Sequence, residues 1–182
     1  MNTFSFVRSS VNDSTRVSQA EPRHTDAVME LLIKTAEWLR SKGSRQWNGL
    51  LEGRDHHGMA EAISAGHVFV FEQESRLAGV VMLLQQPGEW DRQLWGEEGH
   101  EEAVYVHRLA VNRDCAGTRL GRDMMAWVET GIRFPGKSKI RLDCVGDNPR
   151  LNEFYRSLGY EYQGLSASGF SKYEKLLSSP KT

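Results

Sequence analysis

The sequence predicts an α/β fold in which strands and helices alternate along the chain. Two apolar, β-branched runs at residues 68–71 and 77–84 flank a polar turn, as expected of a hairpin. Two further strands are predicted at Ala103–Val111 and Lys139–Val145, and apolar residues at helical spacing follow each of them. With 182 residues and no internal repeat, we expect one domain over residues 1–182.

The predicted elements follow one another in a simple order. Residues 4–8, within an N-terminal extension over residues 1–14, are either a short extra strand or a loose segment. Thr25 is predicted to cap the first helix, whose apolar side chains recur on one face. The stretch at residues 85–99 is predicted to be a loop. In chain order, the strands and helices are a strand at 16–21, a helix at 25–42, a helix at 59–65, the hairpin, the strand Ala103–Val111, a helix at 119–131, the strand Lys139–Val145, a helix at 149–158, and strands at 160–163 and 170–176.

Composition argues against several classes of function. The formal net charge is −1 and no stretch concentrates Lys and Arg, so nothing favours a nucleic acid or a membrane surface as partner. Cys115 and Cys144 are isolated and the chain has no long apolar run, so we expect a cytoplasmic protein. His56 and His57 have no carboxylate or Cys at ligand spacing, and we therefore expect no metal site there.

The junction between the strand Ala103–Val111 and the next helix has the features of an anion site. Backbone N–H groups in the first turn of a helix have no partners within the helix and lie at the positive end of its dipole. Arg113, Arg119 and Arg122 add positive charge around the loop. The chain contains neither the mononucleotide P-loop pattern nor the dinucleotide fingerprint, so another kind of phosphate loop is expected.

Residues 104–121 resemble motif A of the Gcn5-related N-acetyltransferases (GNAT), which follows the fourth strand of that fold and binds the pyrophosphate of acetyl-CoA. The family pattern is Arg/Gln-x-x-Gly-x-Gly/Ala. Gly121 matches its last position, and Gly117 occupies a variable position that is often Gly. Ala116 stands where Arg or Gln is usual, and Arg119 stands at the first signature Gly. These departures favour an alternative to an enzyme, namely a GNAT-fold protein that senses acyl-CoA or another ligand without turnover.

Residues 147–160 resemble motif B of the same family. Asn148 is a good N-cap, Pro149 suits the first helical turn, and Gly159 ends the helix. The pair Phe154-Tyr155 and the Gly-Tyr that follows it match the family's order. Both motifs occur at about the family's spacing, and the resemblance covers roughly residues 17–177.

The resemblance implies a GNAT fold, with a central mixed, mostly antiparallel sheet of about six to seven strands, about four flanking helices, and strands four and five splayed apart. It also implies acetyl-CoA as the acyl donor and no metal. The acetyl-CoA site would use backbone N–H groups near the end of strand four, the phosphate loop, and the start of the helix after strand five. The positions are Leu109, Ala110, Val111, Ala116, Gly117, Thr118, Arg119, Leu120, Gly121, Arg122 and Asn148.

The implied reaction moves an acetyl group from acetyl-CoA to a primary amine, and it needs an acid and a base. By the resemblance, Tyr155 is the candidate acid that protonates the departing CoA thiolate; alternatively, its ring only packs on the sheet. His107 is the candidate base, because an imidazole titrates near neutral pH; alternatively, it is a hydrogen-bonded His at a sheet surface. Strand alternation places Tyr105 and His107 on one face. Cys144 is expected to be a core residue rather than a nucleophile.

In the family, the acceptor enters from the side opposite acetyl-CoA. Tryptophans next to acidic residues favour a cationic small amine, drawn in by an acidic loop; alternatively, the tryptophans are core and the acids are a solvated face. A polyamine-like amine, an amino acid derivative, an aminoglycoside and a protein N-terminus or Lys all remain open, as does a homodimer. The predicted lining residues are Trp38, Arg45, Gln46, Trp47, Trp90, Asp91, Trp95, Glu97, Glu98 and Glu101.

Overall fold

The computed structural model describes residues 3–55, 58–115 and 119–178. Strands β1 to β10 are Ser5–Phe6, Ser10–Asn12, Thr15–Gln19, Val68–Gln73, Arg76–Leu84, Ala103–Val111, Ile132–Arg133, Lys139–Val145, Glu161–Leu165 and Phe170–Leu176. Helices α1 to α6 are Thr25–Ser41, Asn48–Leu51, Met59–Ser64, Glu89–Trp95, Leu120–Thr130 and Pro149–Ser157. Short 3-10 turns cover Pro22–His24 and Arg113–Cys115.

The chain divides into two compact units. The first holds Met1–Leu83 and Arg108–Arg133, and the second holds Leu84–His107 and Phe134–Thr182, so β6 contributes residues to both. Eight of the described strands belong to a mixed, mostly antiparallel sheet. The predicted fold class is therefore confirmed, with eight strands where six to seven were expected and six described helices where about four were expected.

The first unit contains the antiparallel strands β2, β3, β4 and β5, in that order. Val17 of β3 lies opposite Phe71 of β4, and Val70 of β4 lies opposite Val80 of β5. The apolar run that predicted the hairpin is buried without alternation in both strands, because both faces of β4 and β5 are covered. The predicted hairpin is confirmed.

Trp127 anchors helix α5 in the core of the first unit. Its fully buried ring lies 5.6 Å from the ring of Phe6, 5.5 Å from that of Phe69 and 5.6 Å from that of Phe71. Its indole N–H donates to the carbonyl oxygen of Arg8 at 2.8 Å. Residues 4–8 are therefore held against α5, and the extra strand considered there is present as β1, which pairs with β7.

A close approach between β5 and α5 helps to fix the position of α5. A Cβ atom on Gly79 would lie 2.7 Å from Sδ of Met124 and 3.0 Å from the carbonyl oxygen of Ala110. These distances leave no room for a side chain without a shift of its neighbours. The predicted strand Ala103–Val111 and the helix that follows it are confirmed, with α5 beginning at Leu120.

The second unit contains β6, β8, β10 and β9, in that order. Strands β6 and β8 are parallel, with Tyr105 opposite Arg141, and β8, β10 and β9 pair antiparallel. The buried Tyr173 of β10 donates its hydroxyl hydrogen to Oδ1 of Asn152 at 2.6 Å, and Nδ2 of Asn152 donates to the carbonyl oxygen of Val145 at 3.1 Å. Asn152 therefore ties α6 to strands β8 and β10.

Two predictions of local structure were wrong. Residues 85–99 contain helix α4 rather than only a loop, and the carboxylate of Asp91 accepts the N–H of Gly88 at 2.9 Å ahead of the helix. Thr25 does not cap α1, because the preceding 3-10 turn runs directly into the helix and places His24 at the N-cap. Within the described ranges, no helix has the length and apolarity that crossing a membrane would require.

Candidate active site

His107 and Asp91 form a buried pair in the second unit. His107 comes from β6 and Asp91 from α4, and both side chains are more than nine-tenths buried. Nε2 of His107 lies 2.9 and 3.1 Å from the two carboxylate oxygens of Asp91. When the imidazole is neutral and Nε2–H donates to Asp91, Nδ1 carries the lone pair. The pair has the form of a general base with a carboxylate that positions it.

Asp143 of β8 joins this pair in a three-residue cluster. One ligand atom from each of Asp91, His107 and Asp143 lies within 4.8 Å of the others. Nε1 of Trp90 lies 3.2 Å from each carboxylate oxygen of Asp143 and donates a hydrogen bond there. Burial raises the pKa of Asp143 to about 6, against the lowering effects of His107 and Trp90. Such a perturbed carboxyl group is typical of functional sites.

This cluster is also the set of described residues whose donor atoms suit a divalent cation, since it offers one imidazole and two carboxylates. No local sequence pattern predicts this cluster, because Asp91 and Asp143 are far from His107 along the chain. The pair that sequence reasoning did consider, His56 and His57, lies outside the described residues.

Tyr155, the candidate acid, lies on α6 and is buried. Its ring centroid is 6.0 Å from that of Tyr173 and 6.1 Å from that of Tyr160. Burial raises the pKa of its hydroxyl well above the ordinary value, and the nearby Cys144 and Asp143 add to this rise. The hydroxyl is therefore protonated at neutral pH. Cys144 is a buried free thiol with a pKa raised to about 12, which is consistent with a core residue.

Asn148 and Tyr105 have structural partners. Oδ1 of Asn148 accepts the N–H of Leu151 at 3.1 Å, so the predicted N-cap is confirmed. The hydroxyl of Tyr105 contacts Nδ1 of His100 and accepts from Nη1 of Arg141 at 3.0 Å. Tyr105 is therefore partnered by His100 and Arg141, whereas His107 pairs with Asp91.

The candidate phosphate loop belongs to the first unit. Asn112 holds its beginning, because its N–H and side-chain amide donate to the carbonyl oxygens of Ala78 and Leu77 at 2.8 and 2.9 Å. Arg119 is the N-cap residue of α5, and its carbonyl oxygen accepts the N–H of Asp123 at 2.9 Å. The remaining predicted loop residues, Ala116, Gly117 and Thr118, lie outside the described residues.

Trp38 and Trp95, two of the tryptophans predicted to line the acceptor site, already contact cationic side chains of the protein. The guanidinium of Arg113 lies 3.7 Å from the ring centroid of Trp38. Trp95 is contacted by Arg141 at 4.5 Å and by Lys172 at 5.5 Å. A substrate ammonium over Trp95 would compete with both of these side chains, which weakens the prediction that this ring holds a cationic acceptor.

Comparison with known proteins decides the family. The model of the acetyltransferase (GNAT) family matches residues 27–160. The chain belongs to the GNAT family. YesJ of Bacillus subtilis (strain 168), an uncharacterized N-acetyltransferase, is 50% identical over 175 residues, which cover 96% of this chain and 97% of that protein.

Solved structures agree with this assignment. A GNAT-family acetyltransferase from Listeria monocytogenes 4b F2365 is 34% identical, with a TM-score of 0.74 over 90% of this GNAT chain and 95% of that one. The Salmonella typhimurium protein yncA, solved with its cofactor acetyl-CoA, has a TM-score of 0.66 at 16% identity over 93% and 98% of the two chains. At that identity, the likeness to yncA shows the shared fold alone.

Proposed function

We propose that this protein is an acetyl-CoA-dependent N-acetyltransferase that acetylates a primary amine of a small molecule. The buried pair of Asp91 and His107 carries the proposal, because it supplies a positioned base in a chain of this family. The fold shared with yncA, which was solved with acetyl-CoA, supports acetyl-CoA as the acyl donor.

The start of α5 suits the pyrophosphate of acetyl-CoA. Leu120, Gly121 and Arg122 begin this 11-residue helix, and their N–H groups lie in its first turn. Arg119 and Arg122 place positive charge at the same end, where the helix dipole also favours an anion. Phosphate recognition by amide groups needs no Arg or Gln side chain at residue 116, so the departure from motif A is compatible with binding.

In the proposed reaction, His107 accepts a proton from the acceptor amine, and Asp91 stabilises the imidazolium. The amine nitrogen bonds to the thioester carbonyl carbon, and the electron pair of the C=O π bond moves to oxygen. Backbone N–H groups in the stretch Leu109, Ala110 and Val111 are the proposed donors to this oxyanion. When the carbonyl re-forms, the C–S bond breaks and Tyr155 protonates the leaving thiolate. No metal is required.

The second candidate function is an acyl-CoA sensor without turnover, and the residues Ala116 and Arg119 in motif A favour it. A cytoplasmic location goes with either function, because neither of the described cysteines, Cys115 and Cys144, is in a disulfide. We also propose that residues 1–182 act as a single acetyltransferase domain.

Thiol release from acetyl-CoA in the presence of a panel of primary amines tests the proposal. Asp91→Asn should lower kcat about 100-fold while the KM of each substrate changes little, because the amide cannot stabilise the imidazolium. The control is Asp147→Asn, which makes the same chemical change on an exposed side chain. Acetyl-CoA binding without thiol release from any amine would support the sensor instead.

A further inference from the structure

Arg108 is a buried arginine at an unusual backbone position in the first unit. It directly follows His107 in β6, is 7% exposed, and has a φ of 54°. Its guanidinium carbon lies 5.2 Å from the ring centroid of Trp47. A long charged side chain is rarely buried unless it is paired with an opposite charge or a ligand.

Both residues of this stacked pair, Trp47 and Arg108, have a strained backbone conformation. Among the described residues other than glycine, only Trp47, Glu74 and Arg108 have a positive φ. Glu74 lies in the tight turn between β4 and β5, where such a conformation is ordinary. Trp47 has a φ of 64° and contacts Arg108, so the other two strained residues meet at one place. Strain concentrated in this way is characteristic of binding sites.

The charge of Arg108 is incompletely satisfied within the described part of the chain. The nearest carboxylate oxygen, Oδ1 of Asp55, lies 4.0 Å from Nη2, which is beyond hydrogen-bond reach. The other oxygen of Asp55 accepts the N–H of Met59 at 2.7 Å and is thereby held at the start of α3. Burial lowers the pKa of Arg108, with Asp55 opposing this effect. Its Nε is buried without a hydrogen-bond partner.

A carboxylate oxygen beside Arg108 is unsatisfied as well. Among the described residues, Oδ1 of Asp55 is buried without a hydrogen-bond partner, and so are the side-chain oxygens of Gln46 and Asn48, the chain neighbours of Trp47. Buried polar atoms of this kind are costly unless a ligand or water completes them. A ligand that completes Arg108 and Asp55 therefore has an anionic acceptor and an N–H or O–H donor.

We propose that Arg108 binds the carboxylate of the acceptor, and that the acceptor is an amino acid or a close derivative. The inference rests on the proposed acetyltransferase function and names its substrate class. Asp55 offsets only part of the charge of Arg108, so a monoanionic carboxylate fits better than a dianionic phosphate. The guanidinium edge offers paired N–H groups that match a carboxylate.

Matched substrates test the proposal directly. The probes are standard amino acids and the amines formed by their decarboxylation, such as phenylalanine with phenethylamine and lysine with cadaverine. Thiol release from acetyl-CoA gives kcat/KM for each, and we expect at least one amino acid to exceed its decarboxylated partner by about tenfold or more. Arg108→Gln should raise the KM of that amino acid and reduce the preference to about twofold or less.

Two control variants distinguish a loss of carboxylate recognition from a general loss of folding. Arg108→Lys retains a charge without the paired N–H groups, and its preference should lie between those of the wild type and Arg108→Gln. Arg16→Gln removes an exposed arginine of the same unit and should leave the preference intact. Calorimetric titration of the wild-type protein with the same probes measures carboxylate recognition independently of turnover.

The outcomes separate the two proposals. Thiol release that favours the decarboxylated amines, or favours neither member of any pair, overturns the role of Arg108 and leaves the acetyltransferase function standing. Absence of thiol release with every probe overturns the acetyltransferase function. In that case, amino acid binding that is lost in both Arg108 variants supports the carboxylate site, and equal binding to the wild type and the variants overturns it.

Discussion

The raised pKa of Asp143 predicts that this residue makes the protein less stable as the pH rises from 4 towards neutrality. Burial shifts the pKa from 3.8 in the unfolded chain to about 6 in the fold, so the folded state holds this proton more tightly. Asp143 therefore does not lower the free energy of unfolding below pH 3.8. It lowers that free energy progressively between the two pKa values, and by the full amount above about pH 6. A shift of about 2 pH units corresponds to about 3 kcal/mol.

Asp143→Asn removes this cost while an amide oxygen can still accept from Trp90. The free energy of unfolding of the variant, relative to wild type, should therefore rise by roughly 2–3 kcal/mol between pH 4 and pH 7.5. Urea denaturation of both proteins at each pH measures this difference, and groups common to both cancel. Asp147→Asn is the control, because Asp147 is exposed. A difference between wild type and Asp143→Asn that stays constant with pH would refute the reasoning.

Two further predictions follow from buried aromatic side chains. Tyr155→Phe should lower kcat by roughly tenfold to a thousandfold with little change in acetyl-CoA affinity, since the proposed role of the hydroxyl is in the transition state only. An unchanged rate constant in single-turnover kinetics would remove Tyr155 from the mechanism. Trp127→Ala should lower the free energy of unfolding, measured by chemical denaturation, by about 3–5 kcal/mol, because the ring contacts three phenylalanines. Trp127→Phe should lower it less. A loss below about 1 kcal/mol for Trp127→Ala would contradict the packing argument.

Local signals were sufficient for much of the fold. The strands Ala103–Val111, Lys139–Val145 and Phe170–Leu176 were predicted with their observed bounds, because their apolar residues are bounded by turn residues. Helix α6 was equally clear, since Asn148 caps it and Pro149 begins it. In these segments, the chemistry that specifies the element lies within a few residues of it.

Helix α4 could not be predicted in this way, because its residues are held by partners far along the chain. Trp90 packs edge-on against Phe170 with ring centroids 4.8 Å apart and donates to Asp143. Asp91 accepts from His107. The same long-range contacts explain why the candidate base was found from the sequence and the carboxylate that positions it was not: a His on a predicted strand is visible, whereas its partner is specified only by tertiary structure.

The dipeptide His107-Arg108 shows most clearly where sequence reasoning ends. Strand alternation predicts that consecutive side chains lie on opposite faces, but it does not predict a positive φ at an arginine. In the structure, His107 pairs with Asp91 in the second unit, and Arg108 stacks on Trp47 in the first. The proposed base and the proposed carboxylate-binding residue are adjacent in the chain. Substitutions that disturb the base should lower kcat, and substitutions of Arg108 should raise the KM of the acceptor, so the two roles can be distinguished by kinetics. The proposed carboxylate site would explain why an arginine stands at residue 108, where the backbone alone would favour glycine.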